Sequence, residues 1–379
     1  MRADSPVPSS RPVYAILSTF PPTPCGIATF SRALAGGLAT HGIGVEEVRI
    51  GDPDAVGPGH SGASSVEQMA EAMNRADVAI VQHEYGLYGG DDGADLLHVL
   101  ARLTVPTILV AHTVRRSPSP GQKAVLEALA DAASAVVVMT EAGQQRLSDH
   151  FDLNGAQVVV IPHGAAPAMA APRQPGATDT TRPTLLTWGL LGPGKGIEWA
   201  IDSLALLDDL TPRPRYLVVG DTHPKVAATQ GERYRGMLVR RARASGVDGS
   251  VTFAPGYQSQ ESLARLLAEA TAVVIPYDSR DQVTSGVLVD AVAAGRPVIA
   301  TAFPHAVELL SSGAGLVVPQ RDPVALADAM RRVLTDPDLA AAMAAEATRL
   351  APTLGWPTIA GQYHALAGRV LLGREMAPA

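Results

Sequence analysis

Short apolar, β-branched runs recur along this chain and alternate with longer segments in which Ala and Leu return at helical spacing. The runs fall at Val13–Leu17, Val78–Val81, Thr107–Val110, Ala135–Met139 and Val158–Ile161. A second series follows at Thr184–Thr187, Tyr216–Val219, Val251–Phe253, Ala272–Ile275, Val298–Ala300 and Gly315–Val318. Apolar on both faces and a few residues long, they suit strands buried between two layers of helix. Segments between them, such as Ser262–Glu269 and Pro323–Leu334, carry their apolar residues on one helical face. Strand, helix, strand repeated in this way predicts an α/β fold with parallel sheets covered by helices on both sides.

The alternation breaks between Ala165 and Pro183, where the chain reads AAPAMAAPRQPGATDTTRP and has no periodic apolar face. That stretch reads as a link between two domains, and 379 residues are more than one core usually serves. The expected division is a first domain over residues 1–170, a linker over 171–183, a second domain over 184–352 and a final segment over 353–379. Breaks at Pro352 and Trp356-Pro357 precede a last helix, about Thr358–Leu372, expected to cross back to the first domain.

Composition narrows the classes. With 46% hydrophobic and 18% charged residues the chain can fill large cores, which excludes general disorder. A net charge of -7 argues against a nucleic-acid partner, and Arg115, Arg116 and Lys123 supply only a small local basic patch. Cys25 is the only cysteine, so no internal disulfide forms. The sequence shows no charged-then-apolar leader and no apolar run near the roughly 18 to 20 residues of a membrane span. A cytoplasmic protein is expected, with peripheral contact to a membrane surface left open.

Ligands of open α/β sheets sit at the carboxyl ends of the strands, and four such places carry unusual residues. After the first strand comes Pro21-Pro22-Thr23-Pro24-Cys25-Gly26-Ile27, where prolines force a loop and Gly26 opens a helix start, a seat for phosphate. An ordinary strand-to-helix turn is the plainer reading, but it needs no such long Pro and Gly run. After the first strand of the second domain comes Gly189-Leu190-Leu191-Gly192-Pro193-Gly194-Lys195-Gly196. The glycines, Gly192 and Gly194 among them, expose backbone amides and Lys195 adds a point charge, so the loop suits a diphosphate. It nearly spells the P-loop of nucleotide hydrolases, but Gly196 stands where a Ser or Thr would hold magnesium.

The third place is Asp281-Gln282-Val283-Thr284-Ser285-Gly286, followed by a helix that stops at Gly295. Thr284, Ser285 and Gly286 lie at its positive end, and Asp290 sits inside an otherwise apolar helix, where ribose hydroxyls or a nearby Arg are suitable partners. The fourth gathers His83-Glu84-Tyr85 after one strand of the first domain and His112-Thr113 after the next. A histidine near a sheet is often a structural residue; His112 is the better placed for the cleft rim. The histidines show no metal-ligand spacing, so no metal site is expected, and Asp52-Pro53-Asp54 reads as a turn rather than a metal motif.

In order and spacing, PPTPCGIATF, QHEYGLYGG, VVMTEAG, VIPHG, GLLGPGKG, DQVTSGVLVDAVAAGRPVIAT and ELLSSGAGLVVP make the chain resemble the retaining GT-B glycosyltransferases of family 4 over nearly its whole length. The resemblance implies two Rossmann-like domains facing a cleft. It also implies a nucleotide-sugar donor, transfer with retention at the anomeric carbon, and no cofactor or metal. It places Gly26 beside the donor diphosphate and the acceptor, His112 on the transferred sugar, Lys195 on the diphosphate and Asp290 on the ribose. Glu308 falls on the acid before the family's closing Gly-rich strand. Three departures stand out: Leu190 replaces the family's phosphate-loop arginine, Gln282, next to Asp281, replaces the first glutamate of the E-x7-E pattern, and the shorter Asp290 replaces the second. The QxTSG subgroup this resembles is linked to mannose or glucose transfer, so GDP-mannose or UDP-glucose is the expected donor. The donor sugar hydroxyls are expected on Gln282 or Asp281, or on the backbone amides of Val283 to Ser285, and the base near Gly256-Tyr257-Gln258. His83, Glu84 and Tyr85 are expected on the acceptor or sugar side, facing an acceptor glycan, lipid or small molecule. A sugar phosphorylase, a nucleotide-sugar epimerase and a non-catalytic nucleotide-sugar-binding protein remain as alternatives.

Overall fold

The computed structural model describes residues 11–50, 65–153, 155–166 and 182–375. The Asp52-Pro53-Asp54 turn and nearly all of the expected linker lie outside them. The first domain runs β1 (Val13–Ser18), α1 (Gly26–Thr40), β2 (Gly44–Arg49), α2 (Val66–Asn74), β3 (Val78–His83), α3 (Asp95–Leu100), β4 (Thr107–Ala111), α4 (Pro120–Ala132), β5 (Ala135–Val138), α5 (Glu141–His150) and β6 (Val158–Val160). The second runs β7 (Thr184–Trp188), α6 (Ile197–Ala205), β8 (Arg215–Val219), α7 (Pro224–Gln230), α8 (Arg233–Ala244), β9 (Val251–Ala254), α9 (Gln260–Glu269), β10 (Ala272–Ile275), α10 (Gly286–Ala293), β11 (Val298–Thr301), α11 (Pro304–Leu309), β12 (Gly315–Val318), α12 (Pro323–Thr335) and α13 (Pro337–Leu354). The last helix is α14 (Trp356–Glu375).

Two six-stranded sheets result, ordered β2-β1-β3-β4-β5-β6 and β12-β11-β10-β7-β8-β9. Every strand pair is parallel; Ala79, Ile80 and Val81 of β3, for example, lie opposite Ala15, Ile16 and Leu17 of β1 on one side and Thr107, Ile108 and Leu109 of β4 on the other. The second sheet has the Rossmann order; the first is wound in the flavodoxin manner, with β1 and β3 as neighbours. In each sheet the winding reverses at one place, between β1 and β3 and between β7 and β10, and a crevice opens there at the carboxyl ends. All four candidate loops follow those strands or their immediate neighbour β4.

β2 has no counterpart among the apolar runs. It is an edge strand, GVEEVR, with Val48 its one fully buried side chain, so its apolar signal is weak and its Glu46 and Glu47 protect an open edge. Pro352 does not end a helix: α13 continues to Leu354 and the break comes at Gly355. Near a helix end a proline removes only one internal hydrogen bond.

The last helix does cross back. Trp356, Ile359, Ala360, Tyr363, Leu366, Ala367 and Val370, a stripe at helical spacing, are buried in the first domain's core with Phe30, Leu34 and Leu38 of α1. Each large side chain buried this way contributes roughly 1.5–3 kcal/mol. Gly37 lets the two helices touch, since a carbon added there would lie 2.8 Å from the Ala360 side chain and the Trp356 carbonyl. Tyr14 and His364 join their rims through a 2.7 Å hydrogen bond. Among the described residues no helix is long and apolar enough to cross a membrane.

Candidate active site

The phosphate loop leaves β7 and is pinned to the second sheet: Leu191 donates to the Asp221 carbonyl at 2.8 Å and accepts from the His223 amide at 2.8 Å. Gly194 and Gly196 adopt φ values of 90° and 62°, which favour glycine, and a carbon on Gly196 would strike the Pro276 carbonyl at 1.8 Å. This packing explains why no Ser or Thr stands at Gly196. Among the described residues the amides of Gly192, Gly194 and Gly196 have no hydrogen-bond partner. Lys195 lays its ammonium 4.1 Å from the Tyr277 ring centre, a cation–π perch at the end of β10.

The start of α10 faces the same space: a carbon on Gly189 would lie 3.6 Å from Val287 Cγ2. Ser285 caps the helix by accepting from the Leu288 amide at 3.3 Å, and its own amide donates to His305 Nδ1 at 2.8 Å. The amides of Gly286 and Val287 stay open. Two sets of free amides and one lysine thus converge where the second sheet's winding reverses, an arrangement built for an anion.

The preceding loop has a different task. Val283 is buried in the first domain's core and its carbonyl accepts from Thr140 at 3.0 Å. Asp281 lies 3.8 Å from Arg146 and accepts from the Arg116 amide at 3.3 Å. The Gln282 amide group donates to the Thr284 carbonyl, turning into its own loop. Asp281 and Val283 hold the domains together and Gln282 braces the loop between them, so of the expected donor segment only Thr284 onward opens on the amide cluster. Glu308 works beside them: its two carboxylate oxygens accept from the Glu141 and Ala142 amides at 3.0 and 3.2 Å, capping α5 from across the domain boundary.

Asp290 is partly buried, one turn inside α10. Burial pushes its carboxyl up to about 7, against the pull of the Ala166 amide. Because that value lies above the unfolded one, the group's stabilising contribution is full below about pH 4 and is lost as pH rises through 7. We therefore expect Asp290→Asn to be the more stable protein at pH 8, by about 1–3 kcal/mol, with the difference closing below pH 4 and donor affinity reduced throughout. Urea unfolding at both pH values checks this; equal stability at pH 8 would mean the carboxylate is already solvated.

Across the cleft, Cys25 precedes α1 without capping it, and a carbon on Gly26 would meet nothing within 4 Å. Packing therefore does not demand glycine there; the open helix start does. Thr29 of α1 meets Tyr257 of the second domain at 2.9 Å, so the β9–α9 loop expected to hold the base touches the glycine loop. The Lys225 ammonium reaches the Gly86 carbonyl at 3.3 Å. His112 packs edge-on against Phe30 at 4.8 Å and donates Nε2–H to Gln82 Oε1 at 2.7 Å; burial holds it neutral, down to about 3.

His83 takes the opposite face of the sheet from its neighbour Gln82, as alternation requires. It is fully buried, neither ring nitrogen has a partner, and its ring stands edge-on to Tyr85 at 5.0 Å. Glu84 accepts from Thr113 at 2.5 Å and from the Tyr85 amide at 3.0 Å. His83 and Tyr85 thus pack ring against ring, while His112, whose amide donates to the His83 carbonyl at 3.0 Å, turns its own ring to Gln82 and Phe30. Beyond the residues singled out in the sequence, His163 and His305 flank the start of α10. His163 follows the last strand of the first domain, and that position, after a strand's carboxyl end, was its only signal.

Residues 182–336 match the family model described as glycosyl transferases group 1. The D-inositol 3-phosphate glycosyltransferase of Corynebacterium glutamicum is 28% identical over 69% of this chain and 66% of its own length. That of Nocardioides sp. is 29% identical over 77% and 68%. The chain spans about two thirds of the length of these relatives. In fold it is similar to sucrose-phosphate synthase of Thermosynechococcus elongatus, with a TM-score of 0.75 and 20% identity over 96% of this chain and 100% of that one. It is similar also to HepE of Anabaena, solved in complex with UDP, with a TM-score of 0.74 and 18% identity over 94% and 100%. Residues 182–336 thus resemble a group 1 glycosyl transferase domain, and with its two wound sheets the chain has the GT-B fold.

Proposed function

We propose that the protein transfers a hexose from a nucleotide-diphosphate sugar to an acceptor hydroxyl with retention of anomeric configuration and without a metal. The observation that carries this is the convergence of unpaired amides from the phosphate loop and from α10 beside Lys195. The ribose would lie on Asp290, the base by Tyr257, and the diphosphate on Lys195 and the amides, which stabilise the leaving group as a metal does elsewhere. Closure of the cleft excludes water and brings Gly26 and His112 onto the sugar. The acceptor attacks from the face the diphosphate leaves, and a leaving phosphate oxygen takes the acceptor proton. His83, Glu84 and Tyr85 shape the acceptor side, where a glycan, lipid or small molecule presents its hydroxyl. HepE has also been solved with UDP-glucose, which favours that donor over GDP-mannose. The site acts from the cytoplasm, where nucleotide sugars are available.

A thermal-shift panel of UDP-glucose, GDP-mannose, UDP-N-acetylglucosamine, ADP-glucose and NAD tests the reading. The true donor, well above its Kd, should stabilise the protein by about 2–4 kcal/mol. A shift with NAD alone, or with none of the sugar nucleotides, would sink it. Product analysis then separates glycosidic transfer from phosphorolysis, epimerisation or binding without turnover.

A further inference from the structure

His163 stands on the segment that leaves β6, with Phe30 of α1 edge-on at 5.1 Å and Trp356 of α14 at 5.7 Å. Nδ1–H donates to the Gly164 carbonyl at 2.7 Å, which fixes the tautomer and leaves Nε2 with its lone pair. That edge of the ring faces the start of α10: a carbon on Gly286 would lie 3.0 Å from both Cε1 and Nε2. The imidazole therefore occupies the place of a side chain beside the open amides of Gly286 and Val287. This placement has no structural partner to explain it, since Nε2 bonds nothing among the described residues.

Resting on the donor site proposed above, we propose that His163 is the second cationic partner of the donor diphosphate, taking up a proton as the nucleotide sugar seats and donating Nε2–H to a phosphate oxygen. The diphosphate of a nucleotide sugar carries two negative charges. Lys195 answers one, and Leu190 offers no charge for the other. An unprotonated Nε2 would turn a lone pair towards phosphate oxygen, a repulsive contact that one proton converts into a charge-assisted hydrogen bond. Burial holds His163 down to about 4. The titratable groups facing it are His112 at the end of β4 and His305 on α11, both also held neutral by burial. Phe30 and Trp356 bring no charge from α1 and α14, and Asp290 lies a turn further along α10. Arrival of the diphosphate is thus the change that charges the ring. Since binding raises this pKa, affinity should strengthen as pH falls through the liganded value and level off towards 4.

Calorimetric titration of the full chain with UDP-glucose, and in parallel with GDP-mannose, in two buffers of different ionisation enthalpy reads the proton directly. A nucleotide sugar has no phosphate titrating near neutrality, so the uptake belongs to the protein. The expected result at pH 6 is uptake of roughly one proton per nucleotide in the wild type and none in His163→Gln. That variant should also bind about tenfold more weakly at pH 6. The Cε1 proton resonances of the wild-type histidines, followed during the titration, give the same answer if the variant does not fold. Binding without proton uptake overturns the proposal, as does uptake that survives in His163→Gln, whether it then disappears in His223→Gln, the histidine next to Lys195, or in Asp290→Asn, the carboxyl raised to about 7. Failure of both nucleotide sugars to bind at any pH overturns the donor-site reading and this proposal together.

Discussion

Lys195→Ala is expected to lower kcat/KM by about 10²–10³ while leaving the melting temperature almost unchanged. The two halves of that expectation come from the same geometry. The ammonium rests 4.1 Å from the Tyr277 ring centre, a partly exposed contact contributing on the order of 0.5–1 kcal/mol at most. Its surroundings change when a diphosphate arrives. The free amides of Gly192, Gly194, Gly196, Gly286 and Val287 contribute partial charges, and Lys195 is the side-chain cation of that loop. Charge accumulates on the leaving diphosphate as the glycosidic bond breaks, so a cation there stabilises the transition state more than the ground state. The loss should therefore appear largely in kcat. Lys195→Arg should recover only part of it, because the guanidinium is broader and the loop is pinned at Leu191 and Gly196. Steady-state kinetics with the donor found in the thermal-shift panel decide the matter; near-normal turnover in Lys195→Ala would place the phosphates elsewhere.

Trp356→Ala should cost about 3–5 kcal/mol. Trp356 is 4% exposed and wedged between the Phe30 ring at 4.8 Å and the backbone of Gly164, where a carbon would lie 2.4 Å from the indole. It opens α14, so the cavity would lie where the chain passes from the second domain to the first. The loss should fall on the first domain. Denaturant unfolding followed by tryptophan-independent circular dichroism should split into two transitions, with only the later one shifted by nucleotide sugar. One cooperative transition at the wild-type midpoint would show that the indole is dispensable.

Much of the architecture was legible because buried parallel strands are short, apolar and evenly repeated: VAIVQH is buried at every position. The edge strand β2 was not, since two of its residues are glutamates and one face is open. The candidate site was legible at Lys195, whose Gly-rich loop does bring its open amides beside those of α10. It was less so around Gln282. Asp281 and Val283 look like donor contacts by spacing, yet they turn to Arg146 and to the first domain's core. Sequence order places a loop at a strand end but does not say which of its side chains face the cleft and which face the neighbouring domain. His163 was overlooked for a related reason. Its meaning depends on Gly286, more than a hundred residues away in sequence, leaving room for its ring.

The crossing of α14 has a consequence for synthesis and for engineering. The second domain draws its cores from residues 182–354 together with Ala165 and Ala166, so they are complete once the chain has been made to Leu354. The first domain begins earlier yet waits for α14, because Tyr14 and His364 are partners separated by 350 positions. Until then Phe30, Leu34 and Leu38 lack the helix that covers them in the folded protein. A chimera that exchanges the second domain therefore needs two junctions, one before β7 and one at Gly355, so that the first domain keeps the helix that finishes it.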